Sequence, residues 1–495
     1  MINLSNNEIK GPILKSYNLL SKKERNKLNF LIFASFFAGI IDILSVFSVL
    51  PFVGVLIEPD LINKNKFLNY VWIFFDSPKS EIFLLEISIF AILIVLVGSF
   101  INIFSQIEAN RFAAKCQERL GNSLMRMMLF APYEWHLKYN PAILVTIFVE
   151  HAGIWNKNII RQLPILSGRL ATILVPYIGL FLISPFIGII SILILAPIMT
   201  IIFKKLRFKT SNLLTKRKKA GEKIAVFCTE SLQGIKDVKL SSNYQVFLKS
   251  FSHIYHTNCM SVSSSTNWNI LPASLILTLG QFFIIVIGLI LFFAGIRSGE
   301  LASIMAIVIL IASKLIPSIN KIGTSLIGIV NVQSWIDTLY EINLDLEKNK
   351  APKQLFFEFN KKLNWKILEL KDVCFRYTNN KKATLNNINL KIERGKHYGL
   401  VGPSGSGKST TVDIALGLIK ANKGKLTLDR EPLSQFKQKQ WQSLISYIPQ
   451  NPLISESSLR ENVAFGINKK NIDDDKVISC LKMANIYELN NSLPE

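Results

Sequence analysis

The sequence predicts a membrane all-α domain of six helices, followed by an α/β P-loop nucleotide-binding domain that is incomplete within the 495 residues. Three observations carry this reading. Long apolar runs are clumped in the first two thirds of the chain, the loops between them are strongly basic, and a glycine-rich GxxxxGK[ST] string occupies residues 402–409. The segments are 1–342 for the membrane domain with two long cytoplasmic loops, 343–365 for a linker, and 366–495 for the first part of the nucleotide-binding domain.

Hydrophobic residues make up 49% of the chain, and they are clumped rather than periodic, which points to lipid rather than to a soluble core. The formal net charge of +23 sits in loops beside apolar segments. That is the pattern of a membrane protein with basic cytoplasmic loops, not of a nucleic-acid binder. The five cysteines are scattered, with no CxxC and no histidine at ligand spacing, so they predict neither a metal site nor a disulfide framework.

A spanning helix needs about 20 mostly apolar residues. Six runs qualify: 30–57, 87–106, 170–183 with a less apolar lead-in from Leu163, 186–203, 270–296 and 301–330. Lysines and an arginine precede the first run, and nine basic residues between Lys204 and Lys223 follow the fourth. Positive loops stay inside, so the N-terminus is predicted to be cytoplasmic, and six crossings return the chain to that side. The long connections 107–162 and 204–269 then lie in the cytoplasm. Both read as helical, and the stretches Leu144–Ile154 and Glu230–Ser241 are the candidates for touching a cytoplasmic domain.

Asp42, Lys314 and Lys321 are the charges inside the predicted spans. A charge in lipid costs several kcal/mol and usually faces a cavity or a partner. Asp42 and Lys314 are therefore candidates for a polar pathway that meets an anionic substrate, with snorkelling of Lys314 as the alternative. The external loop 58–80 carries an aromatic cluster from Phe67 to Phe75, read either as an amphipathic helix on the outer leaflet or as an interfacial anchor.

Beyond the linker, strand-like runs occur at 366–377, 387–395 and 397–401. The last leads directly into Gly402-Pro403-Ser404-Gly405-Ser406-Gly407-Lys408-Ser409-Thr410, after which a helix is predicted to about Ile419. Glycine lets the backbone wrap a phosphate and adopt positive φ. The amides of Gly405, Ser406, Gly407 and Lys408 would form an anion nest at the positive end of that helix. Lys408 would neutralise the phosphate oxygens and Ser409 would ligate Mg²⁺. By composition the string arises by chance in on the order of one such chain in a hundred, and the flanking strand and helix make coincidence rarer still. Tyr377 ends a strand where its ring is placed to stack on a base, or simply to lie on the surface. Gln450 ends the strand-like run SLISYIPQ, placed either to reach Mg²⁺ and the attacking water or to serve as a turn residue.

Taken together, these residues resemble the ATP-binding-cassette family. VCFRY matches its aromatic loop, GPSGSGKST its Walker A motif, SYIPQNP its Q-loop, and SLRENVAFG the helix start that follows in exporters. The membrane half is similar to the six-span exporters of the family, most of all to bacterial flippases for lipid-linked oligosaccharides. The resemblance implies ATP and Mg²⁺ as cofactors, with Tyr377 stacking on adenine, Lys408 on phosphate, and Ser409 with Gln450 on the metal. It implies a second half-transporter as partner, in a homodimer, and a place in the lipid bilayer of a bacterial inner membrane with the ATPase side cytoplasmic. The two cytoplasmic stretches would be coupling helices. The family's signature motif, Walker B strand with catalytic Glu, and switch His have no counterpart between Gln450 and Glu495. The reading is therefore of a truncated chain that binds ATP weakly and does not hydrolyse it efficiently. Two alternatives stand beside the flippase. One is an exporter of peptides, lipids or drugs, with no self-processing protease in the short N-terminus. The other is a non-catalytic membrane protein.

Overall fold

The computed structural model describes residues 6–57, 59, 62, 66–75, 79–183, 213–293, 298–349, 363–377, 382–450 and 452–488. The chain forms two compact units, Met1–Leu355 and Phe356–Glu495.

The first unit is helical. Among its described elements are α1 (Asn6–Asn18), α2 (Lys22–Phe47), α3 (Val49–Ile57), α4 (Lys66–Phe75), α5 (Ser80–Phe130), α6 (Gln162–Ile183), α7 (Ile235–Leu240), α8 (Tyr244–Phe293), α9 (Ser298–Asn331) and α10 (Gln333–Lys348). Ser21 starts α2 with a capping box: its hydroxyl accepts from the Glu24 amide while the Glu24 carboxylate accepts from the Ser21 amide. At 51 residues, α5 extends roughly 77 Å, more than twice the hydrocarbon thickness of a bilayer. It therefore carries the predicted second span and continues well past it, as the helical character of 107–130 requires.

Four helical stretches among the described residues are long and apolar enough to cross a membrane: Lys22–Leu56, Ser80–Phe130, Pro141–Ile178 and Ile304–Asn331. They overlap the predicted first, second, third and sixth spans, although Pro141–Ile178 begins inside the connection 107–162 that was expected to lie in the cytoplasm. The predicted fifth falls in α8, where the apolar stretch Ser274–Ile290 is shorter, and the predicted fourth lies outside the described residues. The helical stretch that includes α6 is not uniform. Ile147–His151 and Asn156–Ile160 are π-helical turns around an α-helical Ala152–Trp155.

Small and hydroxylated residues let these helices approach closely, as membrane helix pairs do. A Cβ on Gly39 of α2 would lie 2.1 Å from the Gly168 carbonyl oxygen of α6, so the two backbones touch there. Ser167 Oγ donates to the Ile32 carbonyl at 2.7 Å, and Ser35 Oγ shares a hydrogen bond with Ser105 Oγ of α5 at 2.8 Å. The main core of the unit lies elsewhere, where α1, the start of α2, the second half of α5, residues 147–160 and α10 converge on Trp135, Trp155 and Trp335. Trp135 Nε1 and the Tyr139 hydroxyl both donate to Asp345 Oδ2, at 2.7 and 3.1 Å. Helix α10 runs to Lys348, so the first residues of the predicted linker are helical, because Ile342 and Leu346 are buried in that core.

The second unit holds an antiparallel sheet in the order β2-β1-β3-β4, from β1 (Ile367–Phe375), β2 (Leu385–Glu393), β3 (Lys423–Leu428) and β4 (Glu431–Pro432). The β3–β4 turn places both Asp429 and Arg430 at positive φ, the conformation that matches a two-residue hairpin to strand twist. The Asp429 carboxylate accepts from the Lys366 and Ile367 amides and fastens the turn to β1. Leu370, Val373, Phe375 and Leu385 pack against Ile414 and Ile419, on and just beyond helix α11 (Lys408–Ala415). Helices α12 (Gln435–Gln442), α13 (Leu459–Val463) and α14 (Asp474–Met483) follow. The SLREN run behaves as a helix start: Ser458 and Glu461 make a second capping box.

Two strand expectations are corrected. Residues 397–401 and 443–450 form no strand, although they are apolar and β-rich. A strand exists through hydrogen bonds to a neighbouring strand, and no strand pairs with these segments among the described residues. Val401 is 98% and Ile448 89% exposed.

Candidate functional site

The phosphate-binding string lies between residues 397–401 and α11. Gly405 and Gly407 take φ of +79° and +91°, values in the left-handed region that favours glycine. The Ser406 amide donates to the Pro403 carbonyl at 3.3 Å, which tightens the loop. Gly407 is the N-cap of α11, and its carbonyl accepts from the Thr411 amide at 2.8 Å and the Thr411 hydroxyl at 3.0 Å. The loop therefore passes straight into the first helical turn, whose free amides carry partial positive charge.

Lys408 Nζ donates to the carbonyls of Gly402 and Pro403, both at 2.8 Å. This ties the ammonium to the backbone of the loop that precedes its own helix. Gly402, Ser404, Gly405, Ser406 and Ser409 are exposed, so the loop and the Ser409 hydroxyl are open to solvent. Thr410 is buried instead: its hydroxyl shares a 3.1 Å hydrogen bond with the Tyr377 hydroxyl. Tyr377 stands edge-on to Phe375, with ring centroids 4.8 Å apart, and packs on the core under α11. The structure thus brings Tyr377 to the first turn of the phosphate helix. Gln450 is exposed. One turn into α11, desolvation raises the Asp413 carboxyl above the ordinary carboxylate range.

The residues fit a nucleotide phosphate. A Cβ at Gly407 would meet Leu385 Cδ2 at 2.5 Å and the Thr384 carbonyl at 3.0 Å, so β2 closes on the loop from behind and fixes its path. This support from Thr384 and Leu385 was not among the residues singled out from the sequence, because it depends on strand pairing. Gly407→Ala adds this collision to a left-handed strain of about 1–2 kcal/mol, and should weaken binding of a fluorescent ATP analogue at least about tenfold.

In the membrane unit, the two charges predicted as pathway residues meet each other. Lys314 Nζ of α9 donates to Asp42 Oδ1 of α2 at 2.9 Å. Asp42 is buried, and its Oδ2 lies 4.0 Å from Arg169 Nη1 of α6 without accepting a hydrogen bond. Lys314 is therefore paired rather than only snorkelling, and Arg169 is a third member that the sequence reading passed over. Its signal was a lone arginine inside the lead-in to the third span.

Of the two stretches expected to touch a cytoplasmic domain, Leu144–Ile154 contains the π-helical turn Ile147–His151. The other, Glu230–Ser241, breaks at Gly234 into the short helix α7, which buries no residue and exposes Leu240.

The chain thus carries a glycine-rich loop of the P-loop pattern in one unit and helices long and apolar enough to cross a membrane in the other. The model for the ABC transporter transmembrane region matches residues 26–313, and that for the ABC transporter domain matches residues 385–495. The chain belongs to the ABC transporter family, whose members hydrolyse ATP to drive transport. Curated relatives include the ABC multidrug transporter mdr1 of Aspergillus fumigatus, 33% identical over 129 residues, which is 26% of this chain and 10% of that protein. ABC multidrug transporter MDR2 of Trichophyton rubrum matches to the same extent, 33% over 129 residues, 26% of this chain and 10% of its own length. The serine protease/ABC transporter B family protein tagB of Dictyostelium discoideum is 36% identical over 132 residues, 26% of this chain and 7% of that protein. The chain thus matches a tenth or less of the length of these relatives. They are eukaryotic, so they lend nothing to the expected bacterial inner membrane.

Proposed function

We propose that the chain serves as one half of an ATP-driven exporter that moves an amphipathic substrate across a membrane, pairing with a second half-transporter in a homodimer. The observation that carries this reading is the preformed phosphate loop, with Gly405 and Gly407 at positive φ and Lys408 tied to its backbone, in a chain that also carries membrane-crossing helices. In this reading the loop amides and Lys408 hold the phosphates of ATP, and Ser409 with Gln450 would hold Mg²⁺. Tyr377 lies beside the first helical turn, close to where the base would sit. Stretches 144–154 and 230–241 would act as coupling helices. Exposed Leu240 on a helix that buries nothing supports a contact role for the second.

For the substrate, a lipid-linked oligosaccharide is favoured by the charged residues Asp42 and Lys314 inside the spans and by the aromatic helix α4 outside them. A second reading, a drug exporter on the same fold, is favoured by the names of the fungal relatives.

Lys408→Ala removes the cation from the phosphate loop and should lower ATP affinity by about 100-fold. In vesicles reconstituted with a transporter that carries the whole nucleotide-binding domain, the same substitution should abolish ATP-dependent movement of a fluorescent polyprenyl-diphosphate sugar. Transport that survives the substitution would overturn the ATP-driven reading. ATP turnover stimulated by hydrophobic drugs and indifferent to the glycolipid would select the second substrate class.

A further inference from the structure

The contact between Tyr377 and the phosphate helix has a role that stacking on a base does not explain. The two hydroxyls of Tyr377 and Thr410 share a hydrogen bond of 3.1 Å. Thr410 is buried in the first turn of α11, directly after Ser409. The tyrosine ring is thus tied, through its far end, to the turn whose amides face a phosphate.

The backbone beneath the ring is fixed. The Phe375 carbonyl accepts from the Thr384 amide at 2.8 Å, and the Asn422 side-chain oxygen accepts from the Arg376 amide at 2.6 Å. Freedom for the ring therefore lies in the side-chain torsions of Tyr377 itself. One edge of the ring leans on buried Phe375 and the core under α11. Tyr377 is only half-buried, so a ring that swings away from α11 meets water while β1 stays in place. The hydroxyl bond is the one polar tie that opposes that swing.

We infer that the Tyr377–Thr410 bond is a latch: it draws the ring onto α11, and it must open before the ring stacks on a base. Tyr377 is then a positioning residue whose ring favours the base while its hydroxyl opposes it. The inference rests on the reading of the chain as an ATP binder and adds an order of events. Gly405, Ser406 and Ser409 are exposed with the latch closed, so phosphates reach the loop without disturbing it. The base needs the face of the ring, because stacking is a face contact. Phosphates dock first, and the base then recruits Tyr377 at the expense of one hydrogen bond.

The test is equilibrium binding of ATP and of inorganic tripolyphosphate to the purified full chain by titration calorimetry. The ratio of the two affinities isolates what adenosine adds. Tyr377→Phe keeps the ring and deletes the latch. It should raise the ratio about fivefold, through tighter ATP and unchanged tripolyphosphate. Thr410→Val removes the other hydroxyl and should raise the ratio to the same extent. The double variant should gain no more than either, since one bond is lost in all three. Tyr377→Ala loses ring and latch together and should bring the ratio below that of the parent. A bond that only braces the loop gives the opposite result, with both ligands weakened together in Tyr377→Phe. That outcome, or a ratio that does not move, overturns the latch alone. A parent chain that binds neither ligand overturns the nucleotide site itself, and the latch with it.

Discussion

A Gly39→Ala protein is expected to lose about 3 kcal/mol of stability in its membrane unit, the upper end of the usual cost of overpacking. The new Cβ would sit 2.1 Å from the Gly168 carbonyl oxygen, a backbone atom that cannot rotate away. Helices α2 and α6 must therefore separate, and with them goes the Ser167 hydrogen bond to the Ile32 carbonyl. The reciprocal change, Gly168→Ala, brings its Cβ to 2.8 Å from the Ser35 carbonyl and should cost less. Thermal unfolding in detergent, followed by tryptophan fluorescence, checks both. A Gly39→Ala protein that melts with the parent would show that the helices do not touch there.

The second large effect concerns the Asp42–Lys314 pair. Breaking a buried ion pair costs about 3–5 kcal/mol because the remaining charge is left uncompensated. Lys314→Met should fall at the lower end of that range. Arg169, 4.0 Å from the other carboxylate oxygen, can close on Asp42 and take over part of the role. Adding Arg169→Gln removes that rescue and should bring the loss to the upper end, about 5 kcal/mol. Asp42→Asn combined with Lys314→Met leaves no unpaired carboxylate and should recover most of the stability. Strictly additive losses in that double variant would mean that the two side chains do not interact. The cycle is read from the same melting curves.

The glycine-rich loop was legible in the sequence because its backbone conformation restricts residue type directly. The positive φ of Gly405 and Gly407 favours glycine at both positions, so the string carries its own structural instruction. The antiparallel strands β1 and β2 were legible for a similar reason, since the buried residues of β1 alternate toward one face over much of its length. Residues 397–401 and 443–450 were misread because apolar, β-prone composition describes a strand only when a neighbour supplies hydrogen bonds. In the membrane unit, each of Asp42 and Lys314 was conspicuous alone, but a contact across 272 residues of chain has no local signal. Arg169 was missed because the span was drawn from its apolar centre and the arginine fell in the lead-in.

The π-helical turns at Ile147–His151 and Asn156–Ile160 have a geometric consequence for that arginine. Each widened turn absorbs about one extra residue relative to an α-helix, and one residue corresponds to about 100° of azimuth. Two such turns rotate everything downstream by about 200° against an uninterrupted helix, so the face on which Arg161 and Arg169 stand is set upstream of α6 rather than within it. Residues 147–160 thus work as an angular spacer: a single-residue deletion there would be felt as a change in which way the third span points its charges, far more than as a change in its length.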